Sequence, residues 1–259
     1  MTGNASTQGP ELSQQARRIA VFSDIHGNFH ALQAVLKSIE DEGADLLICC
    51  GDIVGYGARP NECVEAVRRL KVPTIAGNHD HAALLLTDIS NFNDIAKAAV
   101  IWTRDVLTEE NAEYLRRLPL TITDNANNVF FVHASPKEPG QWNYILTMGE
   151  ARTNFNYFTQ QVCFIGHSHQ PFIIENDSGN LVCPTKLEIT IRPGRRYLVN
   201  VGSVGQPRDH NWRAAYCLWD LERQHLSIRR VEYDLAGSQN AIIQAGLPRE
   251  LADRLGHGM

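Results

Sequence analysis

Long apolar runs are missing from this 259-residue chain, and no stretch is long enough to cross a bilayer, so no membrane role is expected. An excess of positive charge is missing as well. Lys and Arg number 24 against 29 Asp and Glu, a formal net charge of -5, so no basic face for long DNA or RNA is expected. Small phosphorylated substrates stay open, because bound cations reverse the sign locally. The six cysteines lack a paired framework spacing; with Cys49 and Cys50 adjacent in an apolar run, they read as reduced core residues of a cytoplasmic protein. The opening MTGNASTQGPELSQQ has neither an apolar h-region nor a cleavage pattern, so secretion is not expected. Internal repeats and low-complexity segments are absent too.

What is present is an ordinary globular balance, 43% apolar and 20% charged, in a chain long enough for one large domain or two small ones. Residues 1–16 are polar and turn-rich and read as a loose tail. RRIAVFSD and ADLLICCGD read as buried strands. ALQAVLKSIEDEG between them reads as an amphipathic helix, apolar at 32, 35, 36 and 39 and stopped by glycine. NECVEAVRRL follows as a helix and KVPTIAGN as a third strand. Residues 91–118 break the rhythm with two successive helices, the second capped by Thr108. Ile101, Trp102 and Leu115 in this insert look like core residues, and the insert itself reads as a small cap facing the substrate. VFFVHAS, QVCFIGHSH, FIIEN, YLVNVGS, AAYCLWDLE and LSIRRVEYD then form a strand-rich half with hairpin turns at DSGN and LERQ. One domain over 17–235 is expected, followed by a helical tail over 236–259.

The strand ends carry a pattern. Successive apolar runs finish in Asp24-Ile25-His26, Gly51-Asp52, Gly77-Asn78-His79-Asp80, His133 and Gly166-His167-Ser168-His169. In open α/β sheets, ligands bind where loops converge at the carboxyl ends of strands. Side chains two apart in an extended segment point the same way, so Asp24 is expected to aim with His26 and His167 with His169. Each piece alone has an ordinary explanation: a turn aspartate, a rim histidine, a chance triplet. Together they deliver Asp, Asn and His from five segments to one place, and burying so many polar groups without a cation is costly.

Seven candidate ligands (Asp24, His26, Asp52, Asn78, His133, His167 and His169) are too many for one tetrahedral ion. They suit two divalent ions sharing a carboxylate. Mixed nitrogen and oxygen donors without thiolate fit Mn, Fe, Zn, Ni or Mg. Two ions about 3.5–4 Å apart clamp an in-line displacement at phosphorus and acidify a bridging water, the expected nucleophile.

At these residues the chain resembles the calcineurin-like metallophosphoesterases, whose motifs run DxH, GDxx, GNH[DE], a lone histidine and GHxH. Here they stand as DIH (24–26), GDIV (51–54), GNHD (77–80), His133 and GHSH (166–169), in that order over about residues 18–205. SDIHGN, GDIVGYG, HASP, GHSHQPF and NVGSVGQPRD are further similar to a bacterial branch of predicted phosphoesterases or phosphodiesterases. The resemblance implies a four-layer αββα sandwich of two mixed β-sheets with the metals along one edge. It implies one metal on Asp24, His26, Asp52 and His169, and another on Asp52, Asn78, His133 and His167, with Asp52 bridging. It implies that the catalytic residue His79 protonates the leaving oxygen or stabilises the transferring phosphoryl group. Two positions depart from the phosphoprotein phosphatase pattern GDxVDRG: Gly55 replaces the aspartate that orients the histidine, and Tyr56 the arginine that clamps a phosphate dianion. Asp80 is the nearest replacement for the first, and Arg208 or Arg59 for the second.

A lost dianion clamp hurts a monoester more than a diester, so the expected activity is hydrolysis of a phosphodiester. A phosphomonoesterase or a dinucleoside-polyphosphate hydrolase stands second, and a non-catalytic scaffold third. Arg208 and Tyr56 are the expected substrate contacts, with Trp142, Asn143, Tyr144 and the loop from Gln206 to His210 as further walls. The expected partner is a small phosphorylated substrate; the sequence carries no signal for an oligomeric state.

Overall fold

The structure, a computed structural model, describes residues 16–90 and 92–259. Apart from Ala16, the tail expected at 1–16 lies outside the described residues. The first sheet contains β1 (Arg18–Phe22), β2 (Leu46–Cys49), β8 (Glu188–Thr190), β10 (Ala214–Asp220) and β11 (His225–Val231), in the order β2-β1-β10-β11-β8. The second contains β3 (Thr121–Asp124), β4 (Val129–Val132), β5 (Val162–Ile165), β6 (Phe172–Asp177), β7 (Asn180–Val182) and β9 (Arg196–Asn200), in the order β3-β4-β5-β9-β6-β7. Both sheets are mixed: β1 runs parallel to β2 but antiparallel to β10, and β5 runs parallel to β4 and β9 while β6 runs antiparallel.

The near-continuous apolar strands are explained by two buried faces. Ile19 and Val21 of β1, Cys217 and Trp219 of β10, and Val162 and Phe164 of β5 meet between the sheets. Their alternates, Ala20, Phe22, Tyr216 and Leu218, face α1 (Phe29–Glu42) and α2 (Pro60–Arg69). Cys163 and Ile165 face outward with Ala151 of α6 (Met148–Asn154), beside Phe155 and Phe158. The layers are therefore helix, sheet, sheet, helix.

Local chemistry sets the boundaries. Asn28 caps α1 by accepting from the Ala31 N–H, and Gly43 ends it at φ 67°. The turns at DSGN and LERQ join antiparallel pairs, Asp177 facing Asn180 and Asp220 facing His225. The third strand expected at KVPTIAGN is not formed: only Thr74 bridges, to Cys49. Lys71 bends the entry at φ 53°, and Pro73 has no N–H to donate.

After α3 (Asn78–Ala83), the insert forms α4 (Asp94–Val106) and α5 (Glu109–Arg116), with Thr108 capping the latter. Leu115 is fully buried and Trp102 partly buried, whereas Ile101, expected in the core, is exposed, because the buried face of α4 runs through Ala96, Ala99, Val100 and Thr103. Residues after 234 form α7 (Leu235–Gln244) and α8 (Arg249–His257), which pack on the domain: Ile242, Leu251 and Leu255 share one cluster with Ala96, Ala99 and Tyr56. No described helix is long and apolar enough to cross a membrane.

Candidate metal centre

β1 and β2 end side by side in one sheet, and β4 and β5 side by side in the other. Beyond Phe22 and Cys49 the chains stay paired without strand geometry. The N–H groups of Asp24, His26 and Gly27 donate to Gly51, Asp52 and Ile53 O, each at 2.9 Å. The extended geometry expected from sequence is not what forms: Asp24, His26, Asp52, His167 and His169 all have φ between 48° and 65°. Non-glycine residues adopt this left-handed conformation at a cost of order 1 kcal/mol each. The side chains still converge, because both members of each pair take the same turn, and the repeated cost marks a site where geometry overrides local preference.

Two ligand groups result. Asp24, His26, Asp52 and His169 bring ligand atoms within 4.8 Å of one another, as do Asp52, His133 and His167, and Asp52 belongs to both. Asn78 joins the second group, its Oδ1 standing 3.2 Å from His133 Nε2. All seven are buried. Each carboxylate has one oxygen anchored by a main-chain N–H: Asp24 Oδ2 accepts from His167 at 3.0 Å, and Asp52 Oδ1 from His79 at 2.8 Å. The other oxygen faces imidazole. Asp24 Oδ1 lies 3.2 Å from His169 Nε2, and Asp52 Oδ2 lies 3.3 Å from His133 and 3.6 Å from His26.

Main-chain carbonyls fix the tautomers. His26 Nδ1 donates to Val54 O at 3.1 Å, His133 Nδ1 to Cys50 O at 2.7 Å, and His169 Nδ1 to Gln206 O at 2.6 Å. His167 uses the other nitrogen, Nε2, on Trp142 O at 2.9 Å. A carbonyl only accepts, so in the neutral ring the remaining nitrogen of each histidine is a lone pair. Two of these, His26 Nε2 and His169 Nε2, face one another at 3.0 Å, and Asp24 Oδ1 has no hydrogen-bond partner. Acceptors aimed at acceptors in a buried site suit a cation. Burial holds His167 down at about 3 and His169 at about 4, so both stay neutral, the ligating form. Burial disfavours a charged His133 too, but the Asp52 and Asp24 charges raise it to about 9, which shows how strongly the site attracts positive charge. Those residues therefore fit a metal centre. Two glycines leave it room: a Cβ at Gly77 would overlap the Asp52 carboxylate, and one at Gly166 the Asp24 carboxylate.

His79 is buried at the edge of the cluster, its ring 4.5 Å from Tyr56, 4.9 Å from His26 and 5.1 Å from Phe92. Its Nδ1 has no partner, and burial pushes its pKa well below the usual histidine value. Gly55, at φ 92°, lies against that nitrogen, where a Cβ would stand 2.8 Å away. Ring packing, in place of a carboxylate, holds His79. Asp80 does not orient it. It points inward and accepts four main-chain N–H groups, from Asp52 at 2.9 Å, Ile53 at 2.9 Å, Val54 at 3.2 Å and Gly77 at 3.0 Å. Burial and the Asp52 charge push Asp80 up to about 7, against those four donors, which favour its ionised form.

Tyr56 is buried at φ 58°, with the Arg208 guanidinium carbon 5.6 Å from its ring centre. Arg59 instead pairs with Glu62 at 3.1 Å. Tyr144 stacks on His167 at 4.0 Å, and Trp142 turns its ring edge to His133 at 6.0 Å. Phe92 shows that the insert reaches His79. Sequence reasoning named Asp80 only as a partner for His79 and missed its main-chain contacts; it also missed the carbonyls of Cys50, Val54, Trp142 and Gln206, because every residue type supplies the same carbonyl.

The model of the calcineurin-like phosphoesterase superfamily domain matches residues 18–224. An uncharacterized protein of Methanocaldococcus jannaschii is 42% identical over 239 residues, covering 92% of this chain and 96% of that protein. A symmetrical bis(5'-nucleosyl)-tetraphosphatase of Mannheimia succiniciproducens is 30% identical over 115 residues, 43% of this chain and 41% of that protein. The crystal structure of a metallophosphoesterase from Sphaerobacter thermophilus superposes with a TM-score of 0.82 at 39% identity, covering 95% of this chain and all of the other.

Proposed function

Because this chain belongs to the calcineurin-like phosphoesterase superfamily, we propose that it is a metal-dependent hydrolase of phosphodiesters with two divalent ions in its site. The observation that carries this reading is the pair of ligand groups sharing Asp52, with histidine lone pairs fixed inward. In this reading Asp24, His26, Asp52 and His169 hold one ion, and Asp52, Asn78, His133 and His167 the other. When bound, the ions supply Lewis acidity toward phosphoryl oxygens and acidify water. The protein groups do the rest. His79, on the turn that carries Asn78, hydrogen-bonds through its ring N–H to the leaving oxygen and offsets its charge as water adds to phosphorus and the ester P–O bond breaks; the neutral ring keeps its proton, and the leaving group takes one from solvent. Its main-chain N–H on Asp52 keeps the two functions in register. The apolar faces of Tyr56 and Phe92 keep water from the ring.

Tyr56 supports the diester preference, since a buried phenol stands where a guanidinium would meet a dianion. The test compares kcat/KM for bis(p-nitrophenyl) phosphate and p-nitrophenyl phosphate. The diester is expected to be the better substrate; a better monoester reverses the assignment. The match to a bis(5'-nucleosyl)-tetraphosphatase favours a second reading, hydrolysis of a dinucleoside polyphosphate. All six cysteines are free, five of them buried, which supports a reducing, cytoplasmic setting.

A further inference from the structure

The four carbonyls that set the histidine rings differ in where they come from. Cys50, Val54 and Gln206 are themselves buried. Trp142 is only partly buried, between exposed Gln141 and Asn143, in the irregular stretch that follows β4. Glu138 and Trp142 in this stretch have left-handed backbone, at φ 53° and 56°. Its start is pinned where the Lys137 N–H donates to Asn154 Oδ1 at 2.9 Å, and its end where Ile145 enters the apolar cluster of Ala151 and Phe155. Between those pins, among the described residues, Trp142 makes the hydrogen bonds that tie the stretch to other segments.

Trp142 Nε1 donates to Thr87 Oγ1 at 3.2 Å, and Trp142 O accepts from His167 Nε2 at 2.9 Å. Thr87 follows the turn that closes α3, the helix that Asn78 opens. The indole also stands edge-on to His81 of α3 at 5.2 Å and to His133 at 6.0 Å. One residue therefore touches His133, His167 and the helix that begins with Asn78. Those are the three members of the second ligand group that the first does not share. Among the described residues, no hydrogen bond or ring contact links Trp142 to Asp24, His26 or His169, the members that belong to the first group alone. A carbonyl behind a ligating histidine fixes both its tautomer and its ring plane, and losing such a partner costs about ten- to hundredfold in metal affinity. Substitution leaves the carbonyl of Trp142 in the chain, so its position depends on the side chain that anchors the residue.

We propose that Trp142 is a positioning residue for His167: its indole N–H on Thr87 holds its own carbonyl in line with the imidazole, and this sets the affinity for one ion of the pair. The inference rests on the two-ion reading and deepens it. The ion on Asp52, Asn78, His133 and His167 depends on a partly exposed anchor, whereas the ion on Asp24, His26, Asp52 and His169 is backed by buried carbonyls alone.

Equilibrium dialysis of the full chain against graded free Mn²⁺, with metal content read by mass spectrometry, tests this. Wild type is expected to fill in two steps. Trp142→Phe keeps a ring and loses the N–H; Thr87→Val keeps the shape and loses the acceptor. Each is expected to weaken one step about tenfold and to leave the other within about twofold, while Thr87→Ser, which keeps the hydroxyl, retains both. The double variant should lose no more than either single one, since both changes break the same bond. Equal weakening of both steps, weakening of neither, or additive losses overturns the proposal. His167 supplies a second readout by NMR of zinc-loaded protein. Its Nε2–H should exchange with solvent about tenfold faster in Trp142→Phe, while the Nδ1–H of His133 and of His169 exchange as in wild type. Equal rates for His167 in the two proteins overturn the positioning role. A wild type that takes up a single ion contradicts the two-ion reading, and the exchange of the His167 proton then decides on Trp142 by itself.

Discussion

A buried ring nitrogen without a partner is costly, and His79 Nδ1 is one. The ring keeps its place because Tyr56, His26 and Phe92 surround it and its own N–H holds Asp52. In the proposed reading this side chain serves chemistry and not ligation. His79→Ala is expected to lower kcat by about 10²–10⁴-fold on esters with poor leaving groups, with both metals retained. The loss should shrink for p-nitrophenolate, whose delocalised charge needs less support on leaving. Equal losses on good and poor leaving groups, compared in a single-turnover series, assign His79 to binding the phosphoryl group instead. At this scale the candidate ligands were legible because Asp, Asn and His recur at strand ends with few structural reasons to be there. The left-handed backbone beneath Asp24, His26, Asp52, His167 and His169 was not, since nothing in those residue types demands it.

Between elements, Asp80 is the fastening. Its carboxylate ties the turn after β2 to the turn that opens α3, so Asp52 and Asn78 are fixed relative to one another. Asp80→Asn replaces an acceptor oxygen with an NH₂ facing N–H donors. Metal affinity is expected to fall about tenfold or more, in line with other residues that support ligands from behind, with kcat recovering at saturating metal. Unchanged affinity in a metal-titration assay would show that the two turns hold themselves. Strands buried on both faces, such as β1, β5 and β10, were readable from their apolar runs. Residues 71–77 were not, because their apolar content reflects burial under the first sheet's edge while Pro73 and Lys71 prevent a ladder. The inward turn of Asp80 depends on contacts 26–28 residues away in sequence, which no local pattern encodes.

Across the whole molecule, the two sheets are joined at the site by acceptors that a cation would reconcile. Two buried carboxylates and the facing nitrogens of His26 and His169 destabilise the metal-free fold, so metal and folding are linked. Stripping the metal with a chelator is expected to lower Tm by about 5–10 °C, the scale of a ligand held at a hundredfold excess over Kd. An unchanged Tm would show a site stable without ions. The packing of α7 and α8 on Tyr56 was hidden from the sequence, because a short amphipathic helix does not name the surface it covers. The sharing of Asp52 between the two ligand groups is the claim on which the proposed chemistry depends, and metal content by mass spectrometry tests it most directly. Wild type should carry two divalent ions per chain, and Asp52→Asn should reduce occupancy at both sites together. A wild-type stoichiometry of one, or full occupancy in that variant, would contradict the shared dinuclear centre.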